Sequence, residues 1–147
     1  MRALGIDLGT KRIGVALANS EGTVATPYEV VTHSGSRTRD HARLADLAEE
    51  AGAVCLVVGL PLSLDGTVGP AAAAALDEAT EIGEATGLPV VTWDERFTTV
   101  TADQYLMTQD LKADARRRVV DKVAAAIMLQ GWLDHRRLSP ASEDGPR

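Results

Sequence analysis

The chain has 147 residues, of which 45 % are hydrophobic and 24 % charged, and its formal charge is −6; this is the size and composition of one globular domain and excludes a globally basic nucleic-acid coat. Two Trp, two Tyr and one Phe are too few aromatic platforms for base stacking, and a single Cys excludes an intramolecular disulfide and a Cys/His zinc set. No apolar stretch reaches the roughly 18 residues of a membrane span, and Asp7 interrupts the apolar run of an N-terminus that lacks a signal pattern, so the expectation is a soluble, cytoplasmic protein with no membrane partner, monomeric or weakly dimeric.

The first third of the chain reads as β. Ala3–Leu8 and Ile13–Ala18 are apolar runs joined by Gly9-Thr10-Lys11-Arg12, and Asn19-Ser20-Glu21-Gly22 is a turn signal before a third strand, Thr23–Val31. Pro27 inside that strand points to a sheet edge. Short connections make these three an antiparallel meander. After a polar loop, Leu44, Leu47, Ala48 and Ala51 recur at helical spacing, and Gly52 stops the helix. Ala53–Val58 reads as a strand buried on both faces, with Cys55 an inert core residue.

Gly59–Pro70 reads as a loop, Ala71–Thr86 as a helix ended by Gly87, and Pro89–Trp93 as a fifth strand with Asp94-Glu95-Arg96 at its end. A helix over about 99–109, a break at Leu111–Ala113 and a last helix over about 114–136 follow. Residues 1–138 form one domain in this reading, and the polar 139–147 a disordered tail. Charge is segregated. Leu44–Glu95 holds ten acids and no Lys or Arg, whereas Leu111–Arg137 holds seven bases against three acids, leaving −10 on the rest of the chain.

Three carboxylates stand out. Asp7 lies inside an apolar strand, where an unpaired charge is costly. An ion pair with Lys11 or Arg12, a protonated carboxyl and a metal ligand each answer that cost. Glu95 falls at the C-terminal end of a parallel strand, where open α/β sheets place their sites, although a surface pair with Arg96 is open to it. Asp121 falls at the edge of the stripe Val120, Val123, Ala124, Ile127 and Met128, with Lys122 or Arg117 as available partners. Carboxylates that converge need cations, and an all-oxygen site suits Mg²⁺ or Mn²⁺. Two such ions can activate a water and stabilise the leaving oxygen of a phosphodiester. His33, His41 and His135 show no catalytic spacing and read as surface residues. Thr98 and Thr99 read as N-cap residues whose helix N-terminus could also hold a phosphate.

Gly5-Ile6-Asp7-Leu8-Gly9-Thr10-Lys11-Arg12-Ile13-Gly14-Val15-Ala16 resembles the opening motif of the YqgF family of ribonuclease-H-like proteins, which groups pre-16S ribosomal RNA nucleases with Holliday-junction-resolvase-like proteins. The resemblance continues through Val58–Thr67 with Gly69-Pro70, through Asp94–Thr99, and through Arg116–Ala125 with Ile127 and Leu129-Gln130. These four motifs span residues 3 to 134. Phe97 departs from the family's usual Leu, and Gln109–Ala115 lacks an expected Gly. The resemblance implies an α/β fold with a five-stranded mixed sheet in the order 3-2-1-4-5 and helices on both faces. It also implies an acidic triad of Asp7, Glu95 and Asp121 that binds divalent metal, two Mg²⁺ or Mn²⁺ ions, for endonuclease chemistry. Arg12, Arg96, Thr99, Arg116, Arg117, Arg118 and Lys122 are the candidates for nucleic-acid contact. The implied substrate is the 5′ end of pre-16S ribosomal RNA, with branched DNA or a non-catalytic RNA-binding role in ribosome assembly as alternatives. Asp7-Leu8-Gly9-Thr10 also resembles the phosphate-binding opening of sugar kinases and actin-like ATPases, but 147 residues leave no room for their second domain.

Overall fold

A computed structural model describes residues 2–63, 65–95 and 113–138, with side chains described from 123 to 136 in the last segment. Strands β1 (Ala3–Leu8), β2 (Arg12–Ala18) and β3 (Ala25–Thr32) form the expected antiparallel meander. The β1–β2 turn closes through Gly9 N–H to the Arg12 carbonyl at 3.0 Å. A Cβ on Gly9 would stand 2.5 Å from that same carbonyl oxygen, so the turn requires glycine. In the next turn, Asn19 Oδ1 accepts from the backbone N–H groups of Thr23 and Val24 at 2.8 and 3.0 Å. Pro27 lies on the edge strand β3, beside a register shift at Val15/Ala16.

Helix α1 (Arg37–Ala51) is capped by Ser36, whose hydroxyl accepts from Arg39 N–H at 3.2 Å, and ends at Gly52 with φ 68°. Strand β4 (Cys55–Leu60) leads to helix α2 (Pro70–Thr86), strand β5 (Val90–Asp94) and helix α3 (Ala113–Leu138). The sheet order is β3-β2-β1-β4-β5, with β4 parallel to both β1 and β5. The helix expected at 99–109 and the tail 139–147 lie outside the described residues. Among the described residues no helix is long and apolar enough to cross a membrane.

Alternation along the strands sorts the core into two layers. Leu4 and Ile6 of β1 face α1 and α2, packing with Leu44, Leu47, Leu56 and Ile82. Ala3, Cys55 and Val57 face α3 and pack with Met128, Leu129, Trp132 and Leu133. Cys55 is buried and free, as expected. Small residues on the α3 side let the helix come close: a Cβ on Gly5 would lie 2.9 Å from Leu129 Cβ. Gln130 then ties α3 to the start of β3, accepting from Ala25 N–H at 2.8 Å and donating to the Thr23 carbonyl at 2.9 Å.

Strand β3 starts at Ala25 rather than Thr23, other strand ends move by at most two residues, and two differences from the sequence reading bear on the site. Strand β4 runs over 55–60, not 53–58, because β5 pairs with it as far as Leu60↔Asp94. Gly59 and Leu60 therefore belong to the sheet and not to the loop. The buried stripe of α3 is also rotated: Ala125, Met128, Leu129, Trp132 and Leu133 are buried, whereas Ala124 and Ile127 are half-exposed.

Candidate active site

The C-terminal ends of β1, β4 and β5 lie side by side, and each contributes to one cluster. Asp7 follows Ala3 and Gly5 in the two-residue alternation of β1, which places it on the α3 side of the sheet. Glu95 comes directly after β5, two residues past the buried Trp93. Between them lies Gly59, in register with Trp93. A side chain at 59 would collide with Glu95 Oε1, so the glycine is the seat of that carboxyl.

Glu95 and Asp7 are hydrogen-bonded to each other. Two carboxyls can do this only when one carries the proton. The reasons are legible in the surroundings. Burial raises the Glu95 carboxyl first, the negative charge of Asp7 and their hydrogen bond raise it further, and Asp94 adds to it, so that it is pushed up to about 7. Burial and the closeness of Asp7 thus favour a proton on the Glu95 carboxyl up to about neutral pH.

The pair opens into a cleft of about 270 Å³. Its walls are Gly9 and Thr10 of the β1–β2 turn, His33 after β3, Gly59 and Pro61, and the first turns of α2 from Ala71 to Glu78. The described residues 61–63 and 65–69 are linked to one another. Ser63 N–H donates to the Thr67 carbonyl at 3.1 Å, and Asp65 Oδ1 accepts from Thr67 N–H at 3.0 Å and from its hydroxyl at 2.7 Å.

The structure thus brings Asp7 and Glu95 together. Arg12 opens β2, in register with Thr32. Arg116, Arg117, Arg118, Asp121 and Lys122 lie on the N-terminal part of α3, but their side chains are outside the described residues, as are Arg96 and Thr99 altogether. Among the described residues no group of three His, Cys, Asp or Glu side chains is placed to hold a metal ion.

Of the histidines read as surface residues, His41 is buried and His33 is partly exposed. His41 is 3 % exposed, and its Nε2 meets Glu78 Oε2 at 2.9 Å. Arg37 reaches the same Glu78 at 3.2 Å and Glu81 at 2.9 Å, which staples α1 to α2. His33 lines the cleft, with its ring against the Gly9 carbonyl and Asp40. Neither pairing has a local spacing signal, since the partners of His33 come from another turn and from a helix seven residues on. His135 is exposed, as expected, and packs on Trp93 with ring centroids 5.3 Å apart.

The family model of RuvX, Holliday junction resolvase, matches residues 1–135. The chain belongs to the RuvX family. Its relatives include a protein of Symbiobacterium thermophilum, 42 % identical over 140 residues that cover 95 % of this chain and 96 % of that protein. Another, from Mycobacteroides abscessus, is 40 % identical over 146 residues covering 99 % and 88 %. Both carry the name "Putative pre-16S rRNA nuclease". Among solved structures, Thermus thermophilus RuvC in complex with a Holliday junction substrate superposes with a TM-score of 0.58 at 20 % identity, over 94 % of this chain and 96 % of that one. That likeness establishes the ribonuclease-H-like fold of this RuvX-family nuclease, in the sheet order expected from the sequence.

Proposed function

We propose that the chain is a divalent-metal-dependent endonuclease that processes the 5′ end of pre-16S ribosomal RNA in the cytoplasm, with Asp7, Glu95 and Asp121 as ligands of two Mg²⁺ or Mn²⁺ ions. The observation that carries this reading is the juxtaposition of Asp7 and Glu95 in one cleft at the strand ends, with Glu95 seated over Gly59. A carboxylate pair half-buried at the strand ends is stable only with a proton or a cation between its oxygens. Its all-oxygen donor set fits Mg²⁺ or Mn²⁺.

The course of α3 supports Asp121 as the third ligand. Trp132 and Leu133 share a core cluster with Ala3 and Cys55 at the starts of β1 and β4, and Leu129 crosses Gly5 in the middle of β1. Going backwards along α3 therefore leads towards the Asp7 end of the sheet. Position 121 is eight residues before Leu129, about 12 Å along the helix axis, and one turn before the buried Ala125.

When bound, the ions would supply an activated water and a counter-charge for the leaving oxygen. This chain's residues do the rest. Glu95 would hold a metal ion only as a carboxylate, Asp7 would hold it from the central strand, and Gly59 keeps the Glu95 carboxyl seated. Arg12, Arg96, Thr99, Arg116, Arg117, Arg118 and Lys122 hold the phosphates. The names of the two relatives favour ribosomal RNA precursors, while the family description favours branched DNA as the second reading.

Cleavage of a pre-ribosomal RNA fragment and of a four-way DNA junction, with and without Mg²⁺ or Mn²⁺, tests both. Asp7→Asn keeps the shape and removes the charge. It is expected to abolish metal-dependent cleavage while leaving nucleic-acid binding within about twofold. Equal residual cleavage by wild type and Asp7→Asn would refute the site.

A further inference from the structure

We propose that His33 is a positioning residue of this cleft: held as an imidazolium between Asp40 and the Gly9 carbonyl, it fixes the β1–β2 turn and offsets the carboxylate charge that the cleft presents to substrate phosphate. The inference rests on the nuclease reading for its substrate, but the clamp itself is independent of it.

The argument is one of donors and acceptors. His33 Nε2 lies 2.9 Å from the Gly9 carbonyl, which can only accept, so this nitrogen carries a proton. Nδ1 lies 3.4 Å from Asp40 Oδ2. Asp40 is 5 % exposed, and its oxygens already accept from Ser34 N–H at 3.1 and 3.3 Å. That carboxyl is held below its usual range by the Ser34 side chain first, then by the Ser34 backbone and by His33, against the opposing effect of burial. Opposite a carboxylate that can only accept, a proton on Nδ1 as well completes the pairing, and this is the charged ring assigned to His33. Its pKa is raised chiefly by the Gly9 carbonyl, then by Asp40 and Glu78, with burial opposing.

The placement gives this charge a purpose. The β1–β2 turn stands two residues beyond Asp7, and its Gly9 and Thr10 line the cleft with His33 itself. His33 N–H also donates to the Lys11 carbonyl at 3.1 Å, so backbone and ring both pin the turn. The charged groups around the ring are Asp40 from α1 and Glu78 from α2, with Asp7 and Glu95 lining the same cleft. Glu78 is already engaged by His41 and Arg37. Without the imidazolium, the described walls of the cleft would present carboxylates to an incoming phosphate.

Two variants separate the clamp from plain structure. His33→Gln keeps a donor for Gly9 but has no charge. Asp40→Asn keeps an acceptor for Ser34 and removes the counter-charge of His33. In steady-state cleavage of the RNA fragment at saturating Mg²⁺, across pH 6–9, wild-type KM is expected to rise on the alkaline side as His33 loses its proton. His33→Gln is expected to raise KM about tenfold, with kcat within twofold and the alkaline rise gone. Asp40→Asn is expected to move that rise to lower pH, which a merely structural role would not do. ¹⁵N NMR of the imidazole ring in the full chain reads the clamp without any substrate, and both nitrogens are expected to be protonated at pH 7. A neutral His33 at pH 7, or an unchanged KM profile in a folded His33→Gln that still cleaves, would overturn the proposal. A wild type with a doubly protonated His33 but no cleavage would instead refute the nuclease reading and, with it, the role of His33 in substrate binding.

Discussion

Glu95 makes the protein's stability depend on pH in an unusual direction for a carboxyl. Its folded value of about 7 is above the ordinary 4.5, so between those pH values the native state binds more protons than the unfolded chain. Stability of the metal-free protein is therefore expected to be full below about pH 4.5 with respect to this group and to fall as pH rises to about 7. Glu95→Gln should flatten that part of the curve. Saturating Mg²⁺ should raise Tm near neutral pH, because it binds only the native pair. Thermal melts at several pH values, with EDTA or Mg²⁺, check both, and an identical slope in wild type and Glu95→Gln would count against the proton on Glu95. Gly59 offers a second test at the same scale. Gly59→Ala puts a methyl group where Glu95 Oε1 sits, so it should reduce cleavage about 100-fold while the circular-dichroism spectrum is retained. The two carboxylates of the pair each had an ion-pair explanation when taken alone, with Lys11 or Arg12 and with Arg96, and were visible in the sequence through their combination and the motifs that carry them. Their hydrogen bond was not, because it depends on β4 standing between β1 and β5 with no side chain at Gly59.

Helix α3 sets how the last element meets the sheet, and its contact is close because Gly5 has no side chain. Gly5→Ala would bring a methyl group to 2.9 Å from Leu129 Cβ, and the displacement should cost about 1–3 kcal/mol. Leu129→Ala alone should cost about 2–5 kcal/mol by leaving a cavity. Leu129→Ala does not remove the crowding Cβ itself, but it removes the Cγ and Cδ2 atoms, both within 3.3 Å, and lets the helix adjust. The double variant should therefore cost less than the sum, and urea unfolding of the four proteins measures the coupling. Helix and strand order were legible here because periodicity and the Gly52 and Gly87 stops mark elements locally. The strand boundary at Leu60 was not, since Gly59-Leu60-Pro61 carries loop composition and only pairing with β5 makes its first two residues sheet. The orientation of α3 was legible to within part of a turn. Its small residues pack as readily as its large ones, so hydrophobicity alone did not separate Ala125 from Ala124.

Across the whole molecule, charge and topology work together. The basic segment Leu111–Arg137 carries +4 in a chain of −6. The acids cluster instead on α1, α2 and their flanks, where Glu78 and Glu81 are held by Arg37. Those helices cover one face of the sheet and α3 covers the other. A polyanion is therefore expected to be repelled from the first face and drawn to the second, and the course of α3 runs its N-terminal part, with Arg116, Arg117 and Arg118, towards the end of the sheet that holds Asp7 and Glu95. Bonds to phosphates carry no sequence preference, whereas bonds to base edges do. Replacing all three arginines with Ala should therefore weaken binding of the RNA fragment and the DNA junction alike, with little change in preference between sequences of either. For every phosphate that an arginine no longer neutralises, the slope of log affinity against log salt should fall by roughly 0.7 on single strands and 0.9 on duplex DNA. Fluorescence-anisotropy titrations between low and moderate salt, with Ca²⁺ in place of Mg²⁺ to hold back cleavage, give both quantities. A triple variant with the wild-type slope would return the arginines to a solvated face of α3. A changed preference between sequences with an unchanged slope would make them base readers instead.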